Sequence, residues 1–217
     1  MGRFTSIMTC LLVSAFLYYP CRSEELVDAF RPGQLWPDNR GVHINAHGGG
    51  ILYQNGVYYW FGEHKDDYTN SALVGVNVYA STDLYHWTYR GTALQVEDNP
   101  ASDITKGCVI ERPKVVYNRL TDTYVMWFHL ELKGKGYSAA RVGLAVSKNV
   151  TGPYQFVRSY RPNAGKWPMN MPEADRWASV EEKSLKAWSP EWLEAIRRGL
   201  YVRRDFQSGQ MSRDMTI

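Results

Sequence analysis

The chain has 217 residues and a formal net charge of +3, and 44% of its residues are hydrophobic. This composition argues against a disordered or fibrous protein, and the small net charge gives no support to nucleic-acid binding. Aromatic residues make up 14% of the chain, with 15 Tyr and 8 Trp. Such an excess is typical of β-structure and of surfaces that stack on flat ligand faces such as sugar rings.

Residues 1–23 have the layout of a secretory signal, with an early positive charge and an apolar run that ends at Tyr19. The run is too short to span a bilayer, so we predict cleavage and a secreted, periplasmic or cell-surface protein. An alternative makes Cys21 a lipid-modified first residue that tethers the protein to a membrane. In either case the mature chain keeps one further cysteine, Cys108, so the fold does not depend on an internal disulfide.

Residues 24–217 are predicted to be mainly β-structure, because short apolar runs alternate with turn signals. The first hairpin pairs Gly50–Gln54 with Val57–Phe61 around Asn55-Gly56, a dipeptide that suits the positive φ angles of a type I′ turn. Further strands are predicted at Val74–Ser81, Lys114–Tyr117, Thr123–His129 and Val142–Ser147.

These strands repeat with an offset of about 64–67 residues. Leu52 corresponds to Val116, and Tyr59 to Met126. An all-strand repeat of this length is typical of β-propeller blades of about four strands each. Two blades are visible, and a third unit opens at 212–217, where Arg213 echoes Arg112.

The segment 172–206 differs from the rest and is predicted to be a helical insertion. Ser189-Pro190-Glu191 is a good helix start, with a side-chain cap and Pro at the first position. Leu193, Ile196 and Leu200 are predicted to share one face. Four arginines near this end are interpreted as the solvated end of a helix: Arg197, Arg198, Arg203 and Arg204.

A closed propeller of four or more such blades needs on the order of 250 residues. The chain is shorter, so we expect that it is truncated at its C-terminus. An open blade would expose an unpaired sheet edge.

Polar residues at the starts of inner strands are the first candidates for a site, because propeller ligands bind at the central channel. The first unit offers Asn45 and His47, with Glu63 just past the hairpin. The second offers Glu111, and the third Asp214. One acid therefore lies near the same place in each unit, which we interpret as a converging set.

Structural roles for the same residues stay open. Glu63 could simply cap the hairpin and pair with His64 or Lys65, and Glu111-Arg112 could be an ion pair that joins blades. The glycines 48–50 could serve only close backbone approach. No metal-ligand spacing is present among the five histidines, so no cofactor is predicted; a structural Ca²⁺ stays open.

The motifs resemble those of glycoside hydrolase family 43, in the branch that contains exo-acting galactan 1,3-β-galactosidases. The resemblance runs from about Trp36 to Ile217 and rests on several motifs in order: AHGGGI, YYWFGE, ERPKVVYN with TYVMW, GKWP and GQMSRDMT. It implies a five-bladed β-propeller, a polysaccharide or oligosaccharide substrate such as β-galactan or arabinogalactan side chains, and an inverting mechanism.

The resemblance also implies roles for single residues. Asp214 matches the carboxylate that orients the general acid and tunes its pKa. Glu63 and Glu111 match acids that bind sugar hydroxyls in the innermost subsite. His47 is expected to face the sugar near Asn45, and Trp60 to pack between blades or stack on the ring.

Two departures affect the expected activity. Most of the family carries an aspartate base near Asn45-Ala46-His47, and this chain has none there. The general acid is expected from a glutamate that opens a fourth blade, beyond Ile217. We therefore expect an active parent enzyme and an inactive chain as given. The rival hypothesis is a non-catalytic, secreted glycan-binding propeller.

Overall fold

The computed structural model describes residues 29–66, 68–178, 185–200 and 206–217. Its strands form two antiparallel four-stranded sheets, each in sequential order. The first sheet contains β1 (His47–Gln54), β2 (Val57–Glu63), β3 (Gly75–Ser81) and β4 (Thr88–Gln95). The second contains β5 (Val109–Asn118), β6 (Thr123–Glu131), β7 (Arg141–Ser147) and β8 (Gln155–Tyr160).

The turn between β1 and β2 confirms the predicted hairpin. Asn55 and Gly56 have φ angles of +53° and +82°, and Gln54 pairs with Val57. These are the angles that a type I′ turn demands, and only Gly, Asn and Asp adopt them at little cost. Local sequence therefore sets the register of this hairpin.

The fourth strand of each sheet, β4 and β8, was not located by the sequence pattern, although four strands per unit were expected. The pairing of β3 with β4 shifts register twice, and the pairing of β7 with β8 shifts once. Each shift moves side chains to the other face and breaks the alternation on which strand prediction depends.

The core lies between the two sheets, and each sheet contributes apolar side chains to it. Phe61, Val76 and Val78 of the first sheet are wholly buried, as are Met126 and Phe128 of the second. Two hydrophobic faces pack here as in successive propeller blades. The described residues thus confirm an all-β fold of two four-stranded units, while the five-bladed closure stays a prediction.

A second, smaller cluster covers the opposite face of the first sheet. Its buried members are Ile44, Ala46, Tyr79 and Trp87, with Trp36 and Trp60 packed against them. Successive residues of a strand point to opposite faces. Phe61 of β2 therefore faces the second sheet, and Trp60 faces away from it.

The predicted helical insertion contains two short helices in its described part, α1 (Glu173–Trp177) and α2 (Pro190–Arg197). The predicted start of α2 is confirmed, because Ser189 accepts a hydrogen bond from the Trp192 N–H and Pro190 is the first helical residue. Residues 179–184 and 201–205, which include Arg203 and Arg204, lie outside the described residues. The limits of the insertion stay a prediction.

The predicted apolar face of α2 is partly wrong, because Ile196 is exposed while Ala195 and Leu200 are buried. The helix ends at Arg197, and Gly199 with a φ of +68° reverses the chain. Leu200 then donates its N–H to the Ala195 carbonyl, which completes a Schellman motif. This C-terminal turn brings Leu200 back over Ala195.

The two arginines at the end of α2 have different surroundings. Arg197 is largely exposed and pairs with Glu194 at 3.6 Å. Arg198 is not simply solvated, because it donates to Asp175 of α1, a buried carboxylate. This ion pair joins the two short helices.

The predicted signal and the proposed lipid site, Cys21, lie outside the described residues. Within the described ranges, no helix has the length and apolarity needed to cross a membrane. Cys108 is a buried free thiol, and its burial raises the pKa to about 12.

Candidate functional site

The candidate site lies where the two inner strands, β1 and β5, begin side by side. Both strands carry a bulge at this point. The four residues from His47 to Gly50 lie opposite only three residues of β2, and the four residues from Glu111 to Lys114 lie opposite three residues of β6. A β-bulge redirects side chains at the start of a strand. The same local irregularity thus shapes both halves of the site.

The three glycines of β1 each make room for a different neighbour. A Cβ on Gly48 would lie 2.9 Å from Glu63 Oε1, and one on Gly49 would lie 2.2 Å from Trp60 Nε1. A Cβ on Gly50 would lie 2.7 Å from Lys114 Cδ. Larger residues would displace these groups, so close approach is one reason for this run of glycines.

Glu63 is a buried carboxylate at the end of β2, with 2% of its surface exposed. Its Oε1 lies 2.7 Å from His47 Nδ1, and its Oε2 lies 3.1 Å from Lys65 Nζ. The contact with Lys65 is an ion pair without the geometry of a hydrogen bond, since Oε2 has no hydrogen-bond partner. A buried carboxylate needs such partners to remain ionised.

Lys65 links the two glutamates, because its Nζ also lies 3.0 Å from Glu111 Oε1. Burial favours the neutral amine, but the contacts with Glu111 and Glu63 and the negative charges of these two carboxylates outweigh this effect and raise the Lys65 pKa. One cation therefore holds two carboxylates from different sheets beside each other.

Asn45 positions Lys65 through the main chain. Its side-chain Oδ1 accepts from the Lys65 N–H at 2.8 Å, and its Nδ2 donates to the Lys65 carbonyl at 2.8 Å. Asn45 thus acts on the site through Lys65, in addition to any contact that it makes with a ligand.

Arg112 links the second sheet to the C-terminal segment. Its Nε lies 2.5 Å from Asp214 Oδ1, while its Nη1 lies 3.9 Å from Glu111 Oε2. Burial favours the protonated form of Glu111, but Lys65 first and then the His129 and Arg112 charges hold its pKa below the ordinary value. Glu111 is therefore ionised at neutral pH.

Asp214 belongs to the site but is the most open of its three acids, with 80% of its side chain exposed. Lys114 lies near it, and the Asp214 charge favours the protonated lysine. Burial of Lys114 and the charge of Arg112 outweigh that effect and lower the Lys114 pKa.

The structure brings Glu63, Glu111, Asp214, His47 and Asn45 together, but it places Trp60 elsewhere. The Trp60 ring packs against Trp36 and Trp87, with ring-centre distances of 5.8 and 5.3 Å. Trp60 and Glu63 leave opposite faces of β2. Trp60 therefore supports the first sheet from the far side, next to Gly49.

The interpretation of one equivalent acid in each unit is wrong in detail. By strand register, Glu111 corresponds to His47, because each opens a bulge, and Glu63 corresponds to His129. The acid and the imidazole thus exchange places between the two sheets. The acids converge in space from different positions of the repeat.

The site also contains two cations, Lys65 and Lys114, for which the sequence predicted no role in ligand binding. The sequence indicates Lys65 only as a possible ion-pair partner of Glu63, and that pair is present. Its second contact, with Glu111 46 residues away, could not be read from local spacing. The sequence carried one usable signal, since Lys114 lies 64 residues after Gly50 and so shares its position in the bulge.

The described residues contain no group of three or more His, Cys, Asp or Glu side chains placed to hold a metal ion. Cations of the protein separate the acids instead. The site therefore offers negatively charged hydrogen-bond acceptors, held by Lys65 and Arg112, to a ligand rich in hydroxyl groups.

Comparison with known proteins gives consistent similarity to one group. The chain is similar to a GH43 β-1,3-galactosidase solved with galactodeoxynojirimycin, with 51% identity over 85% of this chain and 54% of that chain and a TM-score of 0.76. It is also similar to the exo-β-1,3-galactanase of Clostridium thermocellum, with 44% identity over 60% of this chain and 27% of that chain and a TM-score of 0.54.

A third similar structure is the exo-β-1,3-galactanase of Phanerochaete chrysosporium with galactose. Identity is 39% over 60% of this chain and 29% of that chain, with a TM-score of 0.55. The present chain thus spans about half or less of the length of these proteins. No family model and no curated protein sequence matches it.

Proposed function

Because this chain belongs to glycoside hydrolase family 43, we propose that it is part of an enzyme that hydrolyses O-glycosidic bonds of β-galactan or arabinogalactan side chains. The proposal extends to this chain the activity for which its structural relatives are named. Its strongest support within the chain is the shared contact of Glu63 and Glu111 with the Lys65 ammonium group, at 3.1 and 3.0 Å.

In this proposal Glu63 and Glu111 accept hydrogen bonds from the hydroxyl groups of a terminal galactosyl residue. Ionised carboxylates are strong acceptors and stabilise the positive charge that develops on the sugar ring in the transition state. The ammonium group of Lys65 lies within ion-pair distance of both carboxyl groups and offsets part of their negative charge. The site therefore suits a neutral sugar that becomes cationic during reaction.

We further propose an inverting mechanism, in which an acid protonates the leaving oxygen and a base activates water on the opposite face of the ring. Asp214 is assigned to orient the general acid and to raise its pKa by like-charge proximity. The acid itself is assigned to a strand-opening glutamate beyond residue 217. The chain as given is therefore expected to bind galactosides without hydrolysing them.

Binding by the purified 217-residue chain tests the assigned sugar site. Isothermal titration calorimetry with galactodeoxynojirimycin, whose protonated nitrogen mimics the cationic ring, should give measurable heat. The variants Glu63→Gln and Glu111→Gln should each weaken binding by about tenfold or more, since one charge-assisted hydrogen bond contributes roughly 1.5–3 kcal/mol. Glu194→Gln, an exposed acid of α2, is the matched control. Equal affinity in all four proteins would overturn the assignment.

Hydrolysis tests the second half of the proposal. The chain should release no product from an aryl β-galactoside or from β-1,3-galactobiose. Measurable turnover that is lost in Glu111→Gln would show that proton-transfer groups are present within these residues. The expected inactivity would then be wrong, although the proposed substrate class would stand.

A non-catalytic glycan-binding protein is the second candidate, and the arrangement of Lys65 with the buried Glu63 and the half-buried Glu111 would serve it equally well. The enzyme needs a general-acid glutamate beyond residue 217, whereas the binding function does not. Activity of the protein encoded by the complete reading frame on β-1,3-galactan favours the enzyme. Tight binding without turnover by that protein favours the binding function.

For both candidate functions we propose that the N-terminal segment exports the protein. Detection of the protein in the culture medium or on the cell surface would test this proposal.

A further inference from the structure

His129 of β6 is the cross-strand partner of Glu111 and lies wholly inside the protein, with no exposed surface. Each of its ring nitrogens contacts an oxygen atom. The Nδ1 atom lies 2.5 Å from the carbonyl oxygen of Ser212, and the Nε2 atom lies 3.2 Å from Glu131 Oε1. His129 thus joins the second sheet to the C-terminal segment that carries Asp214.

Both partners of the ring are hydrogen-bond acceptors. A backbone carbonyl has no proton to donate, and an ionised carboxylate has none either. A neutral imidazole carries a single N–H and can satisfy only one of them. The two contacts are both hydrogen bonds only when the His129–Glu131 pair carries an additional proton, on the ring or on the carboxyl group.

We propose that His129 and Glu131 form a proton-dependent clamp that holds residues 212–214 against β6 and thereby positions Asp214. Ser212 is buried, and its side-chain oxygen has no hydrogen-bond partner. Its carbonyl, bound by His129, is therefore its principal polar contact at this point.

Charged groups face His129 from its own strand, from β5 and from the C-terminal segment. Glu131 lies on the same strand as His129, and Glu111 lies directly opposite His129 on β5. On the other side, β7 presents Val142, which carries no charge. Arg213 lies over the Tyr137 ring at 5.5 Å, and that ring lies 5.6 Å from the His129 ring. Two carboxylates and one more distant guanidinium thus face the imidazole.

Loss of the proton should release the segment. The neutral ring keeps one N–H, and the ionised Glu131 carboxylate is a stronger acceptor for it than the Ser212 carbonyl. The Nδ1 atom then faces the Ser212 carbonyl without a hydrogen, and a buried acceptor without a partner is strongly unfavourable. The carbonyl of Ser212 can recover a donor by moving toward water. Asp214 would move with it and leave Arg112. The clamp itself requires no substrate, while the effect of Asp214 movement on a galactosyl site rests on the proposed function.

Hydrogen exchange of the backbone amides tests the clamp directly in the 217-residue chain. Protection of residues 211–216, corrected for the intrinsic pH dependence of exchange, should fall by about tenfold between about pH 5 and about pH 9, the interval that brackets ordinary histidine titration. Amides of β1–β4 serve as the internal reference, because they report global unfolding. Constant protection of residues 211–216 across this interval would overturn the proposal.

The variant Glu131→Gln provides the sharper test. The glutamine amide can donate to Nε2 of a neutral ring, whose Nδ1–H then donates to the Ser212 carbonyl. The segment should therefore stay protected at both pH values. The variant His129→Gln can supply only one aligned donor and should lose protection at both. The control Glu194→Gln should behave like the parent chain. A pH-dependent loss in Glu131→Gln equal to that of the parent would contradict the clamp.

A spectroscopic measurement separates the clamp from a merely structural histidine. The ¹⁵N shifts of the His129 ring should show two protonated nitrogens at low pH in the parent chain and one in Glu131→Gln. One protonated nitrogen in both proteins, at every pH tested, would contradict the clamp unless a Glu131 proton is detected in its place by ¹³C carboxyl shifts. Neither readout requires a sugar, so failure of the clamp and failure of the proposed function are distinguishable.

Discussion

Gly48 and Arg112 occupy the same position in the bulges of the two inner strands, with φ angles of +57° and +54°. Glycine adopts this left-handed conformation readily, whereas arginine does so at a cost of about 1–2 kcal/mol. In the first sheet the position needs close approach to Glu63. In the second sheet it carries a guanidinium group to Asp214. One backbone conformation thus serves two different tasks in the site.

Gly48→Ala is expected to destabilise the protein for two reasons. The positive φ costs about 1 kcal/mol, and the new Cβ would meet Glu63 Oε1 at 2.9 Å. Gly41→Ala is the matched control, because Gly41 also has a positive φ but no atom lies within 4 Å of the added Cβ. Urea unfolding should show a loss larger by about 1 kcal/mol for Gly48→Ala. Equal losses would show that the close approach has no energetic effect.

Lys65→Met should lower the free energy of unfolding at pH 7 by about 2 kcal/mol, because the carboxylates of Glu63 and Glu111 lose the cation between them. Lys65→Arg keeps the charge and should recover part of this loss. Chemical unfolding of the three proteins provides the measurement. A stability of Lys65→Met equal to that of the parent would contradict the proposed role of Lys65 in holding the two acids.

The pH dependence of stability should change in the same Lys65→Met variant. The pKa of Glu111 is lower in the folded protein than its ordinary value of 4.5. Its ionised form therefore stabilises the fold above about that pH, and this contribution is lost as the pH falls through the folded pKa. Removal of Lys65 should make the acid side of the stability profile flatter. An unchanged slope between about pH 5 and about pH 3 would argue against the interaction.

Asp214→Asn should leave the stability within about 0.5 kcal/mol, since the side chain is largely exposed and its ion pair is screened by solvent. It should also lower the pKa of Lys114 further, because the Asp214 charge is the effect that favours the protonated lysine. An NMR titration of the Lys114 side chain measures this shift. The control Glu194→Gln lies on α2 and should leave that titration unchanged.

The thiol of Cys108 should react very slowly in the native protein. Burial raises its pKa to about 12, so almost no thiolate is present at pH 8. In a chain with Cys10→Ser and Cys21→Ser, labelling by a disulfide reagent should be slower than in about 6 M urea by roughly a thousandfold or more. Rapid labelling of the folded chain would show that the core between the two sheets opens easily.

Much of the fold could be predicted because it depends on local chemistry. The Asn55-Gly56 turn, the repeat of two strand units and the Ser189-Pro190 helix start are all confirmed, although by strand register Tyr59 corresponds to Val125 and not to Met126. Each depends on backbone angles or side-chain contacts within a few residues. The strands β4 and β8 escaped prediction because register shifts interrupt their alternation. The apolar face of α2 was partly wrong because its C-terminal turn, rather than the helix period, buries Leu200.

The sequence predicted which residues belong to the candidate site better than it predicted how they are arranged. Glu63, Glu111, Asp214, His47 and Asn45 lie together as expected, although their roles in sugar binding stay proposals. Trp60 lies on the other face of β2, where it packs on Trp36 and Trp87. Its aromatic character alone could not separate a stacking residue from a packing residue.

The amino-acid sequence by itself determined the strand repeat, the hairpins and the acids that gather near the strand starts, because period, turn residues and side-chain chemistry are local properties. The tertiary structure decided which groups neutralise one another. Lys65 reaches Glu111 across the seam between the sheets, and His129 reaches the Ser212 carbonyl 83 residues along the chain. Electrostatic interactions weaken with the distance between two groups in space, and the number of residues between them along the chain does not give that distance.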